Sequence, residues 1–256
     1  MKSLNPEWSP REFHRHLAVL GSITEGSTVL DLGCGSGLTL PYLLAAAGAS
    51  GTVLALDRAG SGLEEVRKRH PSEIARGHLR LIEADIANGI PVPDGSLDSV
   101  ICQNVIECVS DRASLLLEIT RVLKPAGTVV IGHYDFDGVI LASHDRELTR
   151  RLVHGYADHV QQWQDASDGQ MGRLLPGLAA SGPFAKVATE TVLFVDLALS
   201  PESYASIHLE GMVALSPRLG VSVQQAQAWL IDLQRRSERG AFYYALPWTY
   251  FTARTI

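Results

Sequence analysis

Three alternating glycines follow a short apolar segment near the start of the chain. Residues 29 to 37 are VLDLGCGSG, so an apolar run that contains Asp31 leads directly into Gly33, Gly35 and Gly37. Glycine has no Cβ and adopts positive φ without strain, which lets its backbone approach a ligand closely. A buried strand, a glycine turn and a helix start, in this order, form a site for a nucleotide cofactor. We therefore expect such a site at this turn.

The spacing of the glycines distinguishes two classes of cofactor. Dinucleotide-binding proteins have G-x-G-x-x-G at this turn, whereas here the third glycine comes one position early and Leu38 follows it. No Lys followed by Ser or Thr comes after these glycines, so the turn is not a phosphate-binding P-loop. The spacing therefore disfavours both a nicotinamide dinucleotide and a nucleoside triphosphate.

Strands and helices alternate through the first half of the chain. Short apolar runs predict strands at 28–32, 52–56, 79–83, 97–102 and 128–131, and amphipathic patterns predict helices at 38–47, 61–69 and 111–123. The second half is less regular, with predicted helices at 147–163, 173–180, 201–215 and 223–239 and predicted strands at 186–197 and 242–252. Alternation of this kind predicts a parallel sheet whose ligands bind at the carboxyl ends of the strands.

The composition limits the choice of partner. The 256 residues have a formal net charge of -6 and are 46% hydrophobic. This charge disfavours a nucleic acid, which usually requires a basic surface. We find neither a signal peptide nor an apolar run of about 18 residues that would span a membrane. We therefore expect one cytoplasmic domain, monomeric or homodimeric, with reduced cysteines.

The glycine turn is similar to motif I of the class I S-adenosylmethionine-dependent methyltransferases, which has the form hydrophobic-LD-hydrophobic-GCGxG. Other landmarks of the family follow in order: Asp57 at the end of the second strand, EADIAN around Asp85, LDSVICQNVIECV after residue 96, and RVLKPAGTVVIG after residue 120. The last segment has Ala126 where the family usually has glycine. The resemblance covers about residues 28–132 and is specific as a set.

This resemblance implies S-adenosylmethionine as the cofactor and S-adenosylhomocysteine as the product. Asp57 would accept hydrogen bonds from the ribose hydroxyls, Asp85 and Ile86 would contact the adenine, and Gln103 and Asn104 would lie beside the methionine part. Cys34 is expected to be a small buried residue without a nucleophilic role. The full predicted cofactor set is Asp31, Gly33, Cys34, Gly35, Gly37, Asp57, Arg58, Asp85, Ile86, Gln103 and Asn104.

The segment after the fifth strand supplies the predicted catalytic residues. His133 suits a general base, and Asp135 would orient it or bind an amine; if the segment is extended, both residues share a side with Asp137. Glu107 is expected to be a solvated or capping acid rather than a base. No metal is predicted, because no ligand framework surrounds the acids and histidines of an expected polar helix face: His144, Asp145, His154, Asp158 and His159.

Together these patterns predict a Rossmann-like α/β fold, doubly wound, with a mostly parallel seven-stranded sheet, helices on both faces and helical lid insertions. Residues 1–27 would form a helical flap that carries Trp8, Phe13, His14 and His16. Residues 28–132 would bind the cofactor, and residues 133–256 would form the substrate side, with lid helices near 200–240. Tyr204, His208, Met212 and Trp229 would line an acceptor pocket or form the core of the lid.

The predicted function is methyl transfer to a small-molecule acceptor by in-line displacement, with a nitrogen acceptor slightly favoured over oxygen or carbon. Two alternatives remain open at this point. The chain could bind S-adenosylmethionine without methylating, either as a regulator or with the sulfonium assisting a cyclisation. A nicotinamide-dependent oxidoreductase would instead require the G-x-G-x-x-G turn and a Tyr-x-x-x-Lys pair, neither of which the sequence contains.

Overall fold

A computed structural model describes residues 10–160, 164, 169–201 and 203–255. Its centre is a sheet of eight strands in the order β3-β2-β1-β4-β5-β8-β6, with β7 also paired to β8. The strands are β1 Thr28–Leu32, β2 Thr52–Asp57, β3 Leu79–Glu83, β4 Leu97–Gln103, β5 Leu123–Tyr134, β6 Ile140–Leu141, β7 Ala185–Asp196 and β8 Tyr244–Arg254.

The first five strands run parallel to one another, with a shift of register between β4 and β5 at Leu97 and Ser99. Their continuous apolar runs fit strands that are covered on both faces. Because β1 lies between β2 and β4, the chain direction across the sheet reverses at β1 and β4. This reversal opens a crevice at the carboxyl ends of those two strands, where ligands bind in sheets of this type.

The helices are α1 Pro10–Leu20, α2 Leu40–Ala47, α3 Gly60–Arg69, α4 Pro71–Ala75, α5 Arg112–Val122, α6 Arg146–Ala157, α7 Met171–Ser181, α8 Tyr204–Leu215 and α9 Val223–Glu238. They cover both faces of the sheet, and alternate strand residues belong to different core clusters. Val29 joins the cluster that contains Phe13 and Leu43, whereas Leu30 joins the cluster that contains Ile119. No helix within the described ranges has both the length and the apolar character needed to cross a membrane.

The structure confirms the predicted mostly parallel, Rossmann-like α/β fold, and it adds one strand to the predicted seven. The extra strand is β6, which has only two residues and pairs antiparallel with Ala245 and Tyr244 of β8. Two residues are too few to leave an apolar pattern in the sequence. The predicted helix at 147–163 is observed as α6 up to Ala157, and its residues 161–163 lie outside the described part of the chain, as does Trp8.

The segment after β5 differs from the predicted extended conformation. Asp135 caps a short 3-10 helix, Phe136–Gly138, by accepting a hydrogen bond of 2.8 Å from the Gly138 N–H. The chain therefore turns directly after Tyr134. His133, Asp135 and Asp137 do not share one side of a strand, because only His133 belongs to the strand.

Candidate functional site

A pocket of about 330 Å³ opens at the carboxyl ends of β1, β2 and β4. It lies at the crevice that the strand order creates. Predicted site residues and apolar side chains line it together: Gly33, Gly35, Leu56, Asp57, Arg58, Ala59, Ala84, Asp85, Ile86, Asn104, Val105, Cys108 and Val109. Apart from Ile86, the apolar members were not predicted as site residues, because a single apolar residue carries no signal of its own in the sequence.

The three glycines of the turn differ in what surrounds them. All three have positive φ, at +73° for Gly33, +52° for Gly35 and +80° for Gly37. A Cβ on Gly33 would lie 2.2 Å from Val105 Cγ2, and one on Gly37 would lie 2.7 Å from Val66 Cγ2. A Cβ on Gly35 would meet no atom within 4 Å. Gly33 and Gly37 therefore serve packing, while Gly35, which lines the pocket, presents bare backbone to it.

Asp57 closes the glycine turn against the end of β2. Its Oδ2 accepts a hydrogen bond of 2.8 Å from the Gly35 N–H, and its Oδ1 accepts one of 2.8 Å from the Ala59 N–H. Each carboxylate oxygen keeps a second lone pair for a ligand hydroxyl. The carboxylate is thus fixed at the pocket wall and remains able to accept further hydrogen bonds.

The opposite wall contains the predicted adenine contacts. Asp85 caps the 3-10 helix Ile86–Asn88 by accepting a hydrogen bond from the Ala87 N–H, and its Oδ2 lies 3.7 Å from Arg58 Nη1. Both side chains are about one third exposed, so this ion pair contributes little to stability. Its effect is to hold Arg58 and Asp85 beside Ile86 in the pocket.

Four predicted cofactor residues do not line this pocket: Asp31, Cys34, Gly37 and Gln103. Asp31 and Gln103 instead bring buried polar atoms close to the turn. Asp31 Oδ2 and Gln103 Nε2 are buried and have no hydrogen-bond partner within the described residues. Burial, followed by the charge of Asp57, raises the pKa of Asp31 to about 7. Cys34 is buried, as predicted, and burial raises the pKa of its thiol.

Asn104 connects the cofactor pocket to the end of β5. Its φ is +54°, a left-handed conformation that Asn adopts more readily than most residues. Its backbone N–H donates to the Gly132 carbonyl at 3.0 Å, and its Oδ1 accepts from the Tyr134 N–H at 3.2 Å. The Gln103 Oε1 accepts from Trp248 Nε1 at 3.0 Å. The turn after β4 is therefore tied to both β5 and β8.

His133 and Glu107 form a buried pair beside this turn. His133 is fully buried and Glu107 is 6% exposed, and the His133 Nε2 lies 3.0 Å from the Glu107 Oε2. The prediction of a solvated or capping role for Glu107 is wrong, because the short 3-10 helix Ile106–Cys108 turns this side chain inward. The sequence did not indicate this role for Glu107, because its partner His133 lies on β5, distant in the sequence from the 3-10 helix that carries Glu107.

Asp135 is held by Arg173 of α7 and does not contact His133 in any recorded interaction. Its two oxygens accept from Arg173 Nε and Nη2, both at 2.6 Å, and Arg173 Nη1 lies 3.2 Å from Asp137 Oδ2. The side chain of Asp135 is also the cap of the following turn. The geometry therefore gives Asp135 a structural role, and its part in catalysis stays a prediction.

The histidines and acids weighed as metal ligands are dispersed over the surface. His144 Nδ1 lies 2.9 Å from Asp232 Oδ2, and Asp145 caps α6. His154 lies 3.9 Å from Asp137. Among the described residues, no group of three metal-ligating side chains comes together.

The residues predicted for the flap and the lid pack into the core. Phe13 meets Trp248 edge-on at 4.6 Å between ring centroids, and His14 Nδ1 lies 3.0 Å from Thr39 Oγ1. His208 Nδ1 lies 2.8 Å from Tyr244 Oη, and burial lowers the pKa of His208 to about 4. The division of the chain into flap, cofactor half and substrate half stays a prediction.

Comparison with known proteins supports the interpretation of this pocket as a methyltransferase cofactor site. Residues 30–131 match the family model described as a methyltransferase domain. An uncharacterized 37.1 kDa protein in transposon TN4556 of Streptomyces fradiae is 32% identical over 162 residues, which are 62% of this chain and 44% of that protein. The 2-phytyl-1,4-naphtoquinone methyltransferase of Nostoc punctiforme is 33% identical over 106 residues, which are 41% of this chain and 46% of that enzyme.

The chain thus spans less than half of the length of these two relatives. A solved structure, the YcgJ protein from Bacillus subtilis, superposes with a TM-score of 0.60 at 15% identity, over 95% of this chain and 98% of that one. At this identity the likeness shows the fold alone.

The fold and the glycine turn define a Rossmann-like α/β protein with a cofactor pocket at the carboxyl ends of its parallel strands. The matched region assigns a methyltransferase domain to residues 30–131, and the relatives show that this domain is similar to those of S-adenosylmethionine-dependent methyltransferases. The residues present fit the cofactor that this family implies. The buried Asp31 Oδ2 suits its cationic groups, the buried Gln103 Nε2 suits its carboxylate, and the open side of Gly35 leaves room for a ligand.

Proposed function

We propose that this chain transfers a methyl group from S-adenosylmethionine to a small-molecule acceptor. The observation that carries the proposal is the pocket in which Gly35, Asp57, Asp85, Ile86 and Asn104 converge. These residues come from separate loops and meet at the crevice between β1 and β4. Similarity to a relative named as a naphthoquinone methyltransferase supports a small acceptor. The net charge of -6 argues against a nucleic acid.

In this proposal the residues of the chain hold and orient the reactants. When bound, S-adenosylmethionine supplies a methyl group that is already activated by the sulfonium. Asp57 would accept from the ribose hydroxyls, Asp85 and Ile86 would fix the adenine, and Asp31 would favour the cationic end. Alignment of an acceptor with the methyl carbon can supply about 7–11 kcal/mol of the barrier through proximity and orientation.

The structure removes the argument by which the sequence slightly favoured a nitrogen acceptor. It rested on Asp135 and Asp137 as ligands for an amine, and both carboxylates pair with Arg173. A nitrogen acceptor is retained beside an oxygen acceptor only because Glu107 offers another buried carboxylate at the site. Where the acceptor carries a proton that must leave, Glu107 and His133 are the buried groups that could receive it.

Calorimetric titration tests the proposal directly. We expect the purified protein to bind S-adenosylmethionine and S-adenosylhomocysteine and not to bind NAD. The Asp57→Ala variant should bind both sulfur compounds about 100-fold more weakly, because two charge-assisted hydrogen bonds of about 1.5 kcal/mol each would be lost. The exposed Asp94→Ala serves as the matched control, since Asp94 contributes a surface ion pair with Arg121.

Two outcomes would contradict the proposal. Binding of NAD alone would assign the pocket to an oxidoreductase. Binding of the sulfur compounds without methylation of phenol, alcohol, amine or carbon-acid probes would favour a binding or regulatory protein. Unchanged affinity in a folded Asp57→Ala variant would remove the ribose assignment while leaving the cofactor class intact.

A further inference from the structure

Glu107 is a buried carboxylate that the cofactor pocket does not use. It is 6% exposed and stands between Val105 and Cys108, which both line the pocket. Its Oε1 accepts a hydrogen bond of 2.7 Å from the Gln164 Nε2, and its Oε2 lies 3.0 Å from the His133 Nε2. A buried acid that lies between pocket-lining residues in the sequence requires a partner that offsets the cost of its burial.

The hydrogen bonding of His133 fixes where its protons are. Its Nδ1 lies 2.7 Å from the Tyr134 carbonyl oxygen, which can only accept, so Nδ1 carries a proton. If His133 were neutral, Nε2 would then present a lone pair to the Glu107 carboxylate at 3.0 Å. Two acceptors at this distance repel each other. A proton on one of the two atoms removes the repulsion, so one of the two groups carries a proton at this contact.

The contact between the two side chains is close but poorly aligned. The His133 Nε2 has no hydrogen bond of good geometry within the described residues, although the Glu107 oxygen is near. The interaction is therefore chiefly ionic, and Glu107 keeps lone pairs for other donors. The amide of Gln164 already occupies one such direction and marks the place where an N–H or O–H donor can meet this carboxylate.

Aromatic rings surround the pair on the side away from the cofactor pocket. Phe136 meets the His133 ring edge-on at 6.3 Å between centroids and meets the Tyr156 ring at 5.8 Å. Burial, followed by the charge of Glu107, raises the pKa of Tyr156, which places its hydroxyl within the field of that carboxylate. Because these surroundings are buried, the effective dielectric constant is low, and the transfer of one proton changes the electrostatic energy of the site strongly.

We propose that Glu107 is the general base of the methyl transfer and that His133 is its positioning residue. The acceptor class is then a hydroxyl or amine that still carries its proton. This inference rests on the proposed function. The acceptor's O–H or N–H would replace the Gln164 amide as the donor to Glu107 Oε1. The lone pair of the acceptor attacks the methyl carbon, the carbon–sulfur bond breaks with its electron pair going to sulfur, and the proton passes to Glu107.

The charge balance of the site supports this division of labour. The transfer removes one positive charge from sulfur and leaves one proton on Glu107, so the net charge of the buried site is unchanged. A buried site resists any step that creates a net charge. His133, held by the Tyr134 carbonyl, keeps the carboxylate in place before the proton arrives.

The catalytic part is tested with Glu107→Gln, which keeps the size of the side chain and its capacity to accept from Gln164. Methyl-labelled S-adenosylmethionine is the donor, and a panel of phenols, aliphatic alcohols and amines provides the probe acceptors. We expect kcat to fall about 100-fold or more, as for loss of a general base, while cofactor affinity changes less than about threefold. The exposed Glu147→Gln is the matched control and should keep the wild-type rate.

Each outcome of this assay decides one of the two proposals. A wild-type kcat in Glu107→Gln would overturn the base. Labelled product from a carbon-acid probe, with none from any phenol, alcohol or amine, would overturn the acceptor class. Loss of cofactor binding by the wild-type protein would instead contradict the proposed function, which keeps the two failures apart.

The positioning part is tested by nitrogen NMR of the histidine rings, with His133 assigned from the His133→Asn difference. In the wild-type protein we expect both ring nitrogens of His133 to carry a proton, because Nδ1 faces a carbonyl oxygen and Nε2 faces the Glu107 carboxylate. In Glu107→Gln it should become neutral, with the proton at Nδ1. An imidazolium signature that persists in Glu107→Gln would show that the two groups do not share a proton, and would overturn the pair. A purely packing role for His133 would not produce this change.

Discussion

Gly35 and Gly33 lie two positions apart in one turn, but Gly33 is required for packing and Gly35 for access to the pocket. Both have positive φ, so a side chain at either position is strained by the backbone. The surroundings then separate them, because a Cβ on Gly33 collides with Val105 whereas a Cβ on Gly35 meets open space. The motif alone could predict the turn but not this division, since the division depends on a neighbour about 70 residues away in the sequence.

This difference predicts opposite phenotypes for two alanine substitutions. Gly33→Ala should lower the melting temperature strongly, because the 2.2 Å contact with Val105 Cγ2 requires the backbone to shift. Gly35→Ala should cost only the backbone strain of about 1–2 kcal/mol and should weaken S-adenosylhomocysteine binding, because its methyl group occupies the pocket. Thermal unfolding and calorimetry of both variants provide the comparison. Equal loss of stability in the two would contradict the assignment.

The buried Asp31 should make the free energy of unfolding depend on pH. Its pKa is raised from 3.8 to about 7, first by burial and then by the charge of Asp57. At pH values between 3.8 and about 7, Asp31 holds a proton in the folded protein that it has released in the unfolded chain. The free energy of unfolding should therefore fall as pH rises from about 4 to about 7 and level off above that range.

Asp31→Asn removes this titration. We expect the stability advantage of the wild-type protein over the variant to shrink as pH rises through this window, as measured by urea unfolding at several pH values. A difference that is independent of pH would show that Asp31 titrates normally. The variant should also bind S-adenosylmethionine more weakly, because the amide no longer favours a cation.

At the scale of elements, local pattern predicts the cofactor half well. The observed bounds of β1, β3 and α3 lie within one residue of the predicted ones, because short apolar runs and amphipathic helices alternate there without interruption. Proline and glycine add clear boundaries, as at Pro71 and Gly60. The turn after β5 could not be predicted in this way, because a side-chain cap and an ion pair from a distant helix determine it.

That ion pair joins α7 to the end of β5. The Asp135 carboxylate is 5% exposed, whereas Arg173 is 46% exposed, so the cost of breaking the pair falls on the buried acid. We expect Arg173→Ala to reduce the free energy of unfolding by about 3 kcal/mol, because it leaves a buried charge without its partner. The Asp135 carboxylate also accepts hydrogen bonds from backbone N–H groups. These bonds remain in Arg173→Ala and limit the loss of stability.

The matched control is Arg150→Ala on α6, an exposed arginine for which no ion pair is recorded within the described residues. Its stability should stay within about 0.5 kcal/mol of the wild type. Denaturant unfolding gives both values, and calorimetry should show unchanged cofactor affinity in each. A large drop in kcat without loss of stability in Arg173→Ala would instead assign Asp135 to catalysis, as the sequence first indicated.

At the scale of the whole molecule, β8 is the element that joins the two halves of the chain. It pairs antiparallel with β5 and β7, and its Trp248 contacts both Gln103 beneath the cofactor pocket and Phe13 of α1. The aromatic composition of 242–252 indicated a strand that packs on the sheet. It could not identify these partners, because strand pairing and side-chain contacts with residues distant in the sequence leave no local pattern.

The contact between Phe13 and Trp248 determines whether α1 behaves as a flap or as part of the core. Phe13 is 1% exposed and also meets Phe194 edge-on at 5.3 Å. A helix anchored in this way should unfold together with the sheet. We therefore expect Phe13→Ala to lower the free energy of unfolding by about 3–5 kcal/mol in a single cooperative transition with an unchanged denaturant dependence.

Val19→Ala on the same helix is the control, because Val19 is 67% exposed and its truncation should cost little. If α1 were a flap that opens independently of the sheet, Phe13→Ala would leave the main transition in place and increase hydrogen exchange only within residues 10–20. The flap predicted from the sequence requires that second result. The burial of Phe13 between two aromatic side chains of the sheet argues for the first, in which α1 closes one side of the core.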